Sequence, residues 1–251
     1  MISAIILTKN EEQNIIDCIE TILFCDEIVV VDDNSEDRTV DLIKQLKNPK
    51  ITVVTHPLEN NFATQRNFAL TQVKNPWVLF VDADERVSHA LQYEILNHIH
   101  SSLALHVGYF IKRIDTMWGK KLLYGEAGNA KFLRLGKKDA GKWKGAVHER
   151  WVVNGKTESL KHPLMHYPHQ TLTEFLTEIN IYTTIRAQEL YKKGKKSYWW
   201  SIILYTKAKF FMNYFLKLGF RDGIQGFLMA MLMSFHSFLV RGKLWLLWQK
   251  K

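Results

Sequence analysis

The sequence predicts an α/β fold, a mostly parallel sheet covered by helices, followed by a helical, basic C-terminal extension. Three observations predict it. Four short apolar runs rich in β-branched residues each end in a polar tip. Stretches with apolar residues at helical spacing separate those runs. The whole basic excess, finally, sits in the last 60 residues.

The four runs are Ile2 to Leu7, ending in Thr8-Lys9-Asn10-Glu11; Glu27 to Val31, ending in Asp32-Asp33-Asn34-Ser35; Ile51 to Val54, ending in Thr55-His56; and Trp77 to Val81, ending in Asp82-Ala83-Asp84-Glu85. Nearly continuous apolar runs of this length read as strands covered on both faces, hence a parallel sheet. Ile15, Ile16, Ile19, Ile22 and Leu23 share one helix face, as do Val40, Ile43 and Leu46, and Phe62 to Val73 carries a similar stripe. Strands alternating with such helices imply βαβ units with right-handed crossovers. Ligands of open sheets of this type sit beyond the carboxyl ends of the strands, where Thr8, Asn10, Asp33, Asp82 and Asp84 are expected to gather.

The chain of 251 residues is long enough for one substantial core and an appendage. It divides into residues 1–170, in two halves 1–100 and 101–170, and a helical region 171–251. Cys18 and Cys25, both placed on the first helix, read as free thiols of a reducing compartment. Met1 leads directly into a strand, with no sign of a secretory leader.

Residues 192–251 hold 12 Lys/Arg and one acid, Asp222, whereas the other 191 residues carry a net charge of −2. The same segment carries Tyr198, Trp199, Trp200, Tyr205, Phe210, Phe211, Tyr214, Phe215, Trp245 and Trp248. Cations mixed with aromatics on helical patterns suit an anionic bilayer surface. The run Phe227 to Val240 spans only 14 residues and is interrupted by His236 and two serines; that is short of the roughly 20 that cross a bilayer, so lying on the membrane is expected over crossing it. The aromatics adjoin long Leu/Met/Ile runs rather than polar loops, which argues against nucleic acid. A helical lid over the catalytic domain is the competing reading.

The middle is more irregular, with strands expected at Val107–Ile114, Ala130–Leu135 and His148–Val153 and a helix at Ser88–Ile99. Thr171-x-x-Glu174 is a capping box opening a helix that runs to about Lys193, where Gly194 breaks it. Trp118 and Trp143 suit an acceptor face or buried packing equally well.

Asp82 and Asp84, two apart on an extended backbone, point to the same side. They suit a hard dication completed by phosphate oxygens and water. Glu149, after the turn at Gly145, is a candidate general base. Pro163 and Pro168 keep His162, His166 and His169 from one helix, so a dedicated histidine metal site is not expected; His166 is the one that could complete a cation's shell.

As an ordered set, Ile5-Ile6-Leu7-Thr8-Lys9-Asn10-Glu11-Glu12, Val29-Val30-Val31-Asp32-Asp33-Asn34-Ser35-x-Asp37, Gln65-Arg66-Asn67, Asp82-Ala83-Asp84-Glu85 and Val147-His148-Glu149 resemble the inverting family 2 glycosyltransferases. The forms Asp-Ala-Asp-Glu and Val-His-Glu look most like bacterial lipopolysaccharide inner-core β-1,4-glucosyltransferases. The resemblance implies a GT-A fold with a nucleotide-binding half at 1–100 and an acceptor half at 101–170, a UDP-sugar donor, a lipid-linked saccharide acceptor, a divalent cation (Mg2+ or Mn2+) and a peripheral position on the inner face of the cytoplasmic membrane. It assigns Asp33 to the uracil ring, with Thr8, Asn10 and Glu11 lining the same pocket. Arg66 would meet the diphosphate, Asp82 the ribose or the cation, and Asp84 the cation. Glu149 would be the base where most members carry aspartate.

Other classes fit less well. A phosphorylation-type receiver domain would need its acidic pair after the first strand, and here it follows the second. A sugar-phosphate nucleotidyltransferase would need a Gly-rich loop after the first strand, and Thr8 to Glu12 has no glycine. Another family 2 transferase acting on a different envelope glycan is the nearest alternative.

Overall fold

The computed structural model describes residues 1–59, 61–100, 105–145, 149–168 and 171–249. Val147, His148 and His169 lie outside the described residues. Two compact units are present, one of residues 1–113 and 131–166, the other of residues 114–130 and 167–251.

The first unit begins with β1 (Ile2–Thr8), α1 (Ile15–Thr21), β2 (Glu27–Asp32), α2 (Thr39–Gln45), β3 (Ile51–Thr55), α3 (Phe62–Gln72) and β4 (Trp77–Asp82). β5 (Glu85–Val87) and α4 (His89–His100) follow, then the long β6 (His106–Met117) and β7 (Lys120–Lys121), whose pairing with the end of β6 falls in the second unit. β8 (Lys131–Lys137), β9 (Gly141–Lys144), β10 (Arg150–Val153), β11 (Lys156–Ser159) and β12 (Leu164–His166) complete the strands. The sheet order is β3-β2-β1-β4-β8-β6-β12-β5, with β9 and β10 as a separate antiparallel pair. β1 to β4 pair in parallel, as their apolar runs predict, and β8 joins antiparallel to β4.

Alternation along each parallel strand fills two cores. Ile6, Val30, Leu79 and Val81 face α1 and α4 through Ile15, Ile19, Leu91 and Ile95. Ile5, Val29, Val31 and Phe80 face α3 through Ala63, Ala69 and Leu70, with Trp143 and Trp151 on the same side. Both faces are dry, which explains why the central residues of these strands are apolar, while the buried Ser3 of β1 bonds to Glu27 and Asn75. Register sets the tips level: Thr8 lies opposite Asp32, and Leu7 opposite Asp82.

Three local expectations change. Cys25 lies beyond α1, which stops at Thr21 when the Ile22 N–H bonds back to Ile19 only three residues earlier; both cysteines are buried and free. The backbone is not extended from Asp82 to Asp84. β4 stops at Asp82 because its N–H is taken by the Glu85 carboxylate at 3.0 Å, and Ala83-Asp84 form a turn. The C-terminal apolar helix is also longer than its 14-residue run. His236 and the serines do not interrupt it, and Ser234 donates to the Thr206 carbonyl at 2.7 Å instead of breaking the helix.

The second unit holds α5 (Leu172–Lys192), α6 (Trp199–Phe211) and α7 (Gly223–Gln249). The Thr171–Glu174 capping box is formed in both directions. Gly194, at φ +69, ends the following turn in the left-handed region that glycine adopts without strain. Residues 212–216 form a π-helical turn between α6 and α7. Within this unit Met117, Leu122 and Ala127 pack against Met229 of α7.

Candidate active site

The level tips of β1, β2 and β4 build the site in two parts. The first lies over β1 and β2. Asp33 is nearly buried; its carboxylate accepts from Lys9 Nζ at 3.0 Å and from the Leu58 N–H at 2.8 Å. Asn10 takes the left-handed conformation (φ 55), accepts from the Glu36 N–H at 2.8 Å and donates its own N–H to Ser35 Oγ. The Glu11 carboxylate accepts from Asn14 Nδ2 at 2.9 Å, so it braces the start of α1. Thr8 Oγ1 and His56 Nδ1 are buried with no hydrogen-bond partner among the described residues. His56, at the end of β3, stacks on Phe68 at 4.1 Å.

The second part is a buried ionic lattice at the tip of β4. Arg66 of α3 donates through Nε to Glu149 Oε1 at 2.8 Å and through Nη2 to Asp82 Oδ1 at 2.9 Å. Its Nη1 is buried and has no partner among the described residues. The guanidinium lies 4.7 Å from the Trp143 ring and 5.5 Å from Phe80, which holds its plane in place. Trp143 is thus a buried support for Arg66, stacked with Trp151, and not part of an open acceptor face.

Arg134 of β8 grips Asp82 through both Nη atoms and reaches Glu85 Oε1 at 3.2 Å. Arg113 stands 4.0 Å from the same Glu85 oxygen. Three carboxylates (Asp82, Glu85, Glu149) thereby meet three guanidinium groups, the balance that a desolvated cluster requires. Burial would raise the Asp82 carboxyl, but Arg134 and Arg66 overcome it and hold Asp82 well below the usual carboxylate range. Glu85, fully enclosed, goes the other way: burial pushes it up against the pull of Arg134.

Asp84 turns away from this lattice and meets His166 of β12, Oδ2 to Nε2 at 3.0 Å. Burial raises its carboxyl, and the His166 ring more than offsets that. His162 instead pairs with Glu94 at 2.8 Å, so the neighbouring histidines serve different places. No cluster of three or more His, Cys, Asp or Glu side chains able to hold a metal occurs among the described residues. The donor set that does occur, one carboxylate and one imidazole, fits a hard cation that takes its remaining ligands from phosphate and water. Asp82, expected to share that duty, has both oxygens on guanidinium groups in this arrangement.

The structure therefore brings Arg66, Asp82 and Glu149 into direct contact, sets Asp84 with His166 beside them, and places Thr8, Asn10 and Asp33 over the neighbouring strand ends. Sequence reasoning missed Arg134, Arg113, His56 and the enclosed Glu85. Arg134 left one signal, a charge between Leu133 and Leu135 in a strand, but alternation reads such a residue as facing solvent.

A family model, Glycosyl transferase family 2, matches residues 3–159. The chain belongs to glycosyl transferase family 2. The lipopolysaccharide core biosynthesis glycosyltransferase LpsC of Rhizobium meliloti (strain 1021) is 30% identical over 253 residues, covering 97% of this chain and 92% of that protein. An uncharacterized glycosyltransferase of Rickettsia felis is 31% identical over 256 residues, with 97% and 89% covered. Among solved structures, S. aureus TarS 1-349 in complex with UDP-GlcNAc aligns over 100% of this chain and 92% of that one, at 14% identity and a TM-score of 0.48. This family 2 glycosyltransferase thus has relatives along nearly its whole length, helical unit included.

Proposed function

We propose that this chain is an inverting hexosyltransferase that moves glucose from UDP-glucose to a hydroxyl of a lipopolysaccharide inner-core heptose. The observation that carries the reading is the contact of Arg66 with both Asp82 and Glu149 at the carboxyl edge of the parallel strands. It sets a rigid cation for phosphate oxygens beside a carboxylate able to accept a proton. The acceptor class is supported by the 30% identity to a lipopolysaccharide core biosynthesis enzyme.

In this mechanism Asp33 accepts from the uracil N–H, while Thr8, Asn10 and Glu11 shape the pocket around it. Arg66 turns its unpartnered Nη1 to the diphosphate. Glu149 takes the proton from the acceptor hydroxyl as that oxygen attacks the anomeric carbon from the face opposite the leaving UDP. One displacement converts an α-linked donor into a β-linked product. Asp82, fixed by Arg66 and Arg134, faces the ribose. Asp84 and His166 would hold a divalent cation, Mg2+ or Mn2+, whose chemistry is to neutralise charge on the departing diphosphate. Residues 1–170 are the catalytic domain in this reading. Residues 171–251 associate with the inner face of the cytoplasmic membrane, where a lipid-linked acceptor is found.

The test is UDP release from a panel of nucleotide sugars, with core-saccharide acceptor, in Mn2+ and in chelator. UDP-glucose is expected to turn over fastest, and chelator to stop it. Glu149→Gln should lower kcat by about 100-fold or more with donor KM little changed, and Asp84→Ala should abolish turnover in a folded chain. Near-native transfer by either variant refutes its assigned role.

A further inference from the structure

We propose that the outward face of α6 and α7 is a membrane-contact plate lying in the plane of an anionic bilayer, with neither helix crossing it. The inference rests on the membrane reading of residues 171–251 and makes it specific.

Length alone would let α7 cross. Its 27 residues extend about 40 Å, against a hydrocarbon core of about 30 Å. An 18-residue stretch within residues 219–249 has a mean hydropathy of 1.5, and 28% of that stretch is buried. What prevents crossing is the company α7 keeps. α5 packs along it and carries Glu174, Glu178, Arg186, Glu189 and Lys192. The two are pinned by Lys243, whose ammonium donates to the Asn180 carbonyl and side chain and to the Thr183 and Thr184 hydroxyls, all at 2.7–2.8 Å. A helix as charged as α5 does not enter hydrocarbon, and α7 cannot enter without it.

One face of α7 remains open. Ile224, Phe227, Met231, Phe235, Phe238 and Leu246 are each more than a third exposed, and steps of three, four or eight residues put them in a single stripe. On α6, Trp199, Trp200, Leu204 and Phe211 are exposed by half or more. So many large apolar side chains left exposed on two neighbouring helices mark a surface built for an apolar partner.

Charge selects the occupant. From Lys192 to Gln249 the only acid is Asp222, and it is buried, accepting from the Tyr124 N–H at 2.9 Å. Arg241 lies 4.1 Å from the Tyr205 ring and Lys196 lies 5.7 Å from that of Trp248, cation–aromatic pairs that suit the headgroup level. A second copy of this chain would bring like charge against like. An anionic lipid surface complements it.

The experiment is sedimentation of the full chain with phosphatidylcholine vesicles, with and without about one third phosphatidylglycerol, followed by alkaline carbonate extraction. Expected are binding at least tenfold tighter to the anionic vesicles, release by carbonate, and about tenfold or greater weakening in Phe235→Asp/Phe238→Asp with unchanged circular dichroism. Carbonate-resistant retention overturns the proposal in favour of crossing. Unchanged binding by the double variant overturns it, as does a dimer that the same variant dissociates in the absence of vesicle binding. UDP release is measured on the same preparations. Vesicle binding without UDP release from any donor supports the plate and refutes the substrate assignment, whereas transfer without vesicle binding refutes the plate alone.

Discussion

At the scale of single residues, the site depends on charge balance in a dry place. Arg134 touches two carboxylates, and its removal leaves Asp82 with one guanidinium and Glu85 with the more distant Arg113. Arg134→Met is expected to cost about 3–5 kcal/mol, the penalty for orphaning buried charge. Adding Glu85→Gln should recover about half of that loss, because one of the two stranded charges is then gone. Urea unfolding of the single and double variants checks both figures; equal stability of the two would show that Glu85 and Arg134 are not coupled. None of this was legible in the motif Asp82-Ala83-Asp84-Glu85, which marks a polar strand tip but does not say which carboxylate meets which cation. Spacing put Asp82 and Asp84 on one side of an extended strand. The Asp82 N–H found the Glu85 carboxylate instead, and the turn that resulted sent the two aspartates to different partners.

At the scale of elements, the pattern of apolar residues did most of its work where burial is two-sided. β1 to β4 and the helices between them came out at their expected places because β1, β2 and β4 are buried along nearly their whole length and the edge strand β3 keeps the same apolar run. The Thr171 cap was readable for a similar reason, since a local hydrogen-bond pair needs no distant partner. Contacts between distant segments are another matter. Glu94 of α4 accepts from the N–H groups of Lys161 and His162 and from the His162 ring, tying α4 to the segment before β12. Burial raises the Glu94 carboxyl, but these donors win and lower it. A carboxyl depressed on folding adds stability that is complete above its unfolded pKa, about 4.3, and is lost as pH falls through the folded value. Wild type should therefore lose more stability than Glu94→Gln below about pH 5, and at neutral pH the variant should be about 1–2 kcal/mol weaker. Parallel pH–stability curves for the two proteins would contradict this.

At the scale of the whole molecule, ligand binding and folding share one free energy. If Asp84 and His166 hold a cation that UDP completes, the cation–UDP pair acting as one ligand at about 100 times its dissociation constant adds about 2.7 kcal/mol. For a chain of this size that is a rise in Tm of roughly 5–10 °C. UDP with chelator should give much less, and Asp84→Ala should abolish the cation's share; a full shift in that variant would remove Asp84 from the cation site. The calorimetric readout is independent of turnover, so it tests the site even if the sugar is misassigned.

The sequence by itself determined the α/β class, the order of the first four strands and their helices, the family and the concentration of positive charge beyond residue 191. Each follows from local periodicity, ordered motifs or composition. Only the tertiary structure decided that Arg66 joins Asp82 to Glu149, that Arg134 and Glu85 complete the lattice, and that α7 continues past its apolar run with one face open. Those outcomes depend on which distant side chains share a desolvated space. Residues 66, 82 and 134 belong to separate elements and residue 149 to the segment before β10, and no period along the chain records that electrostatics would draw them together.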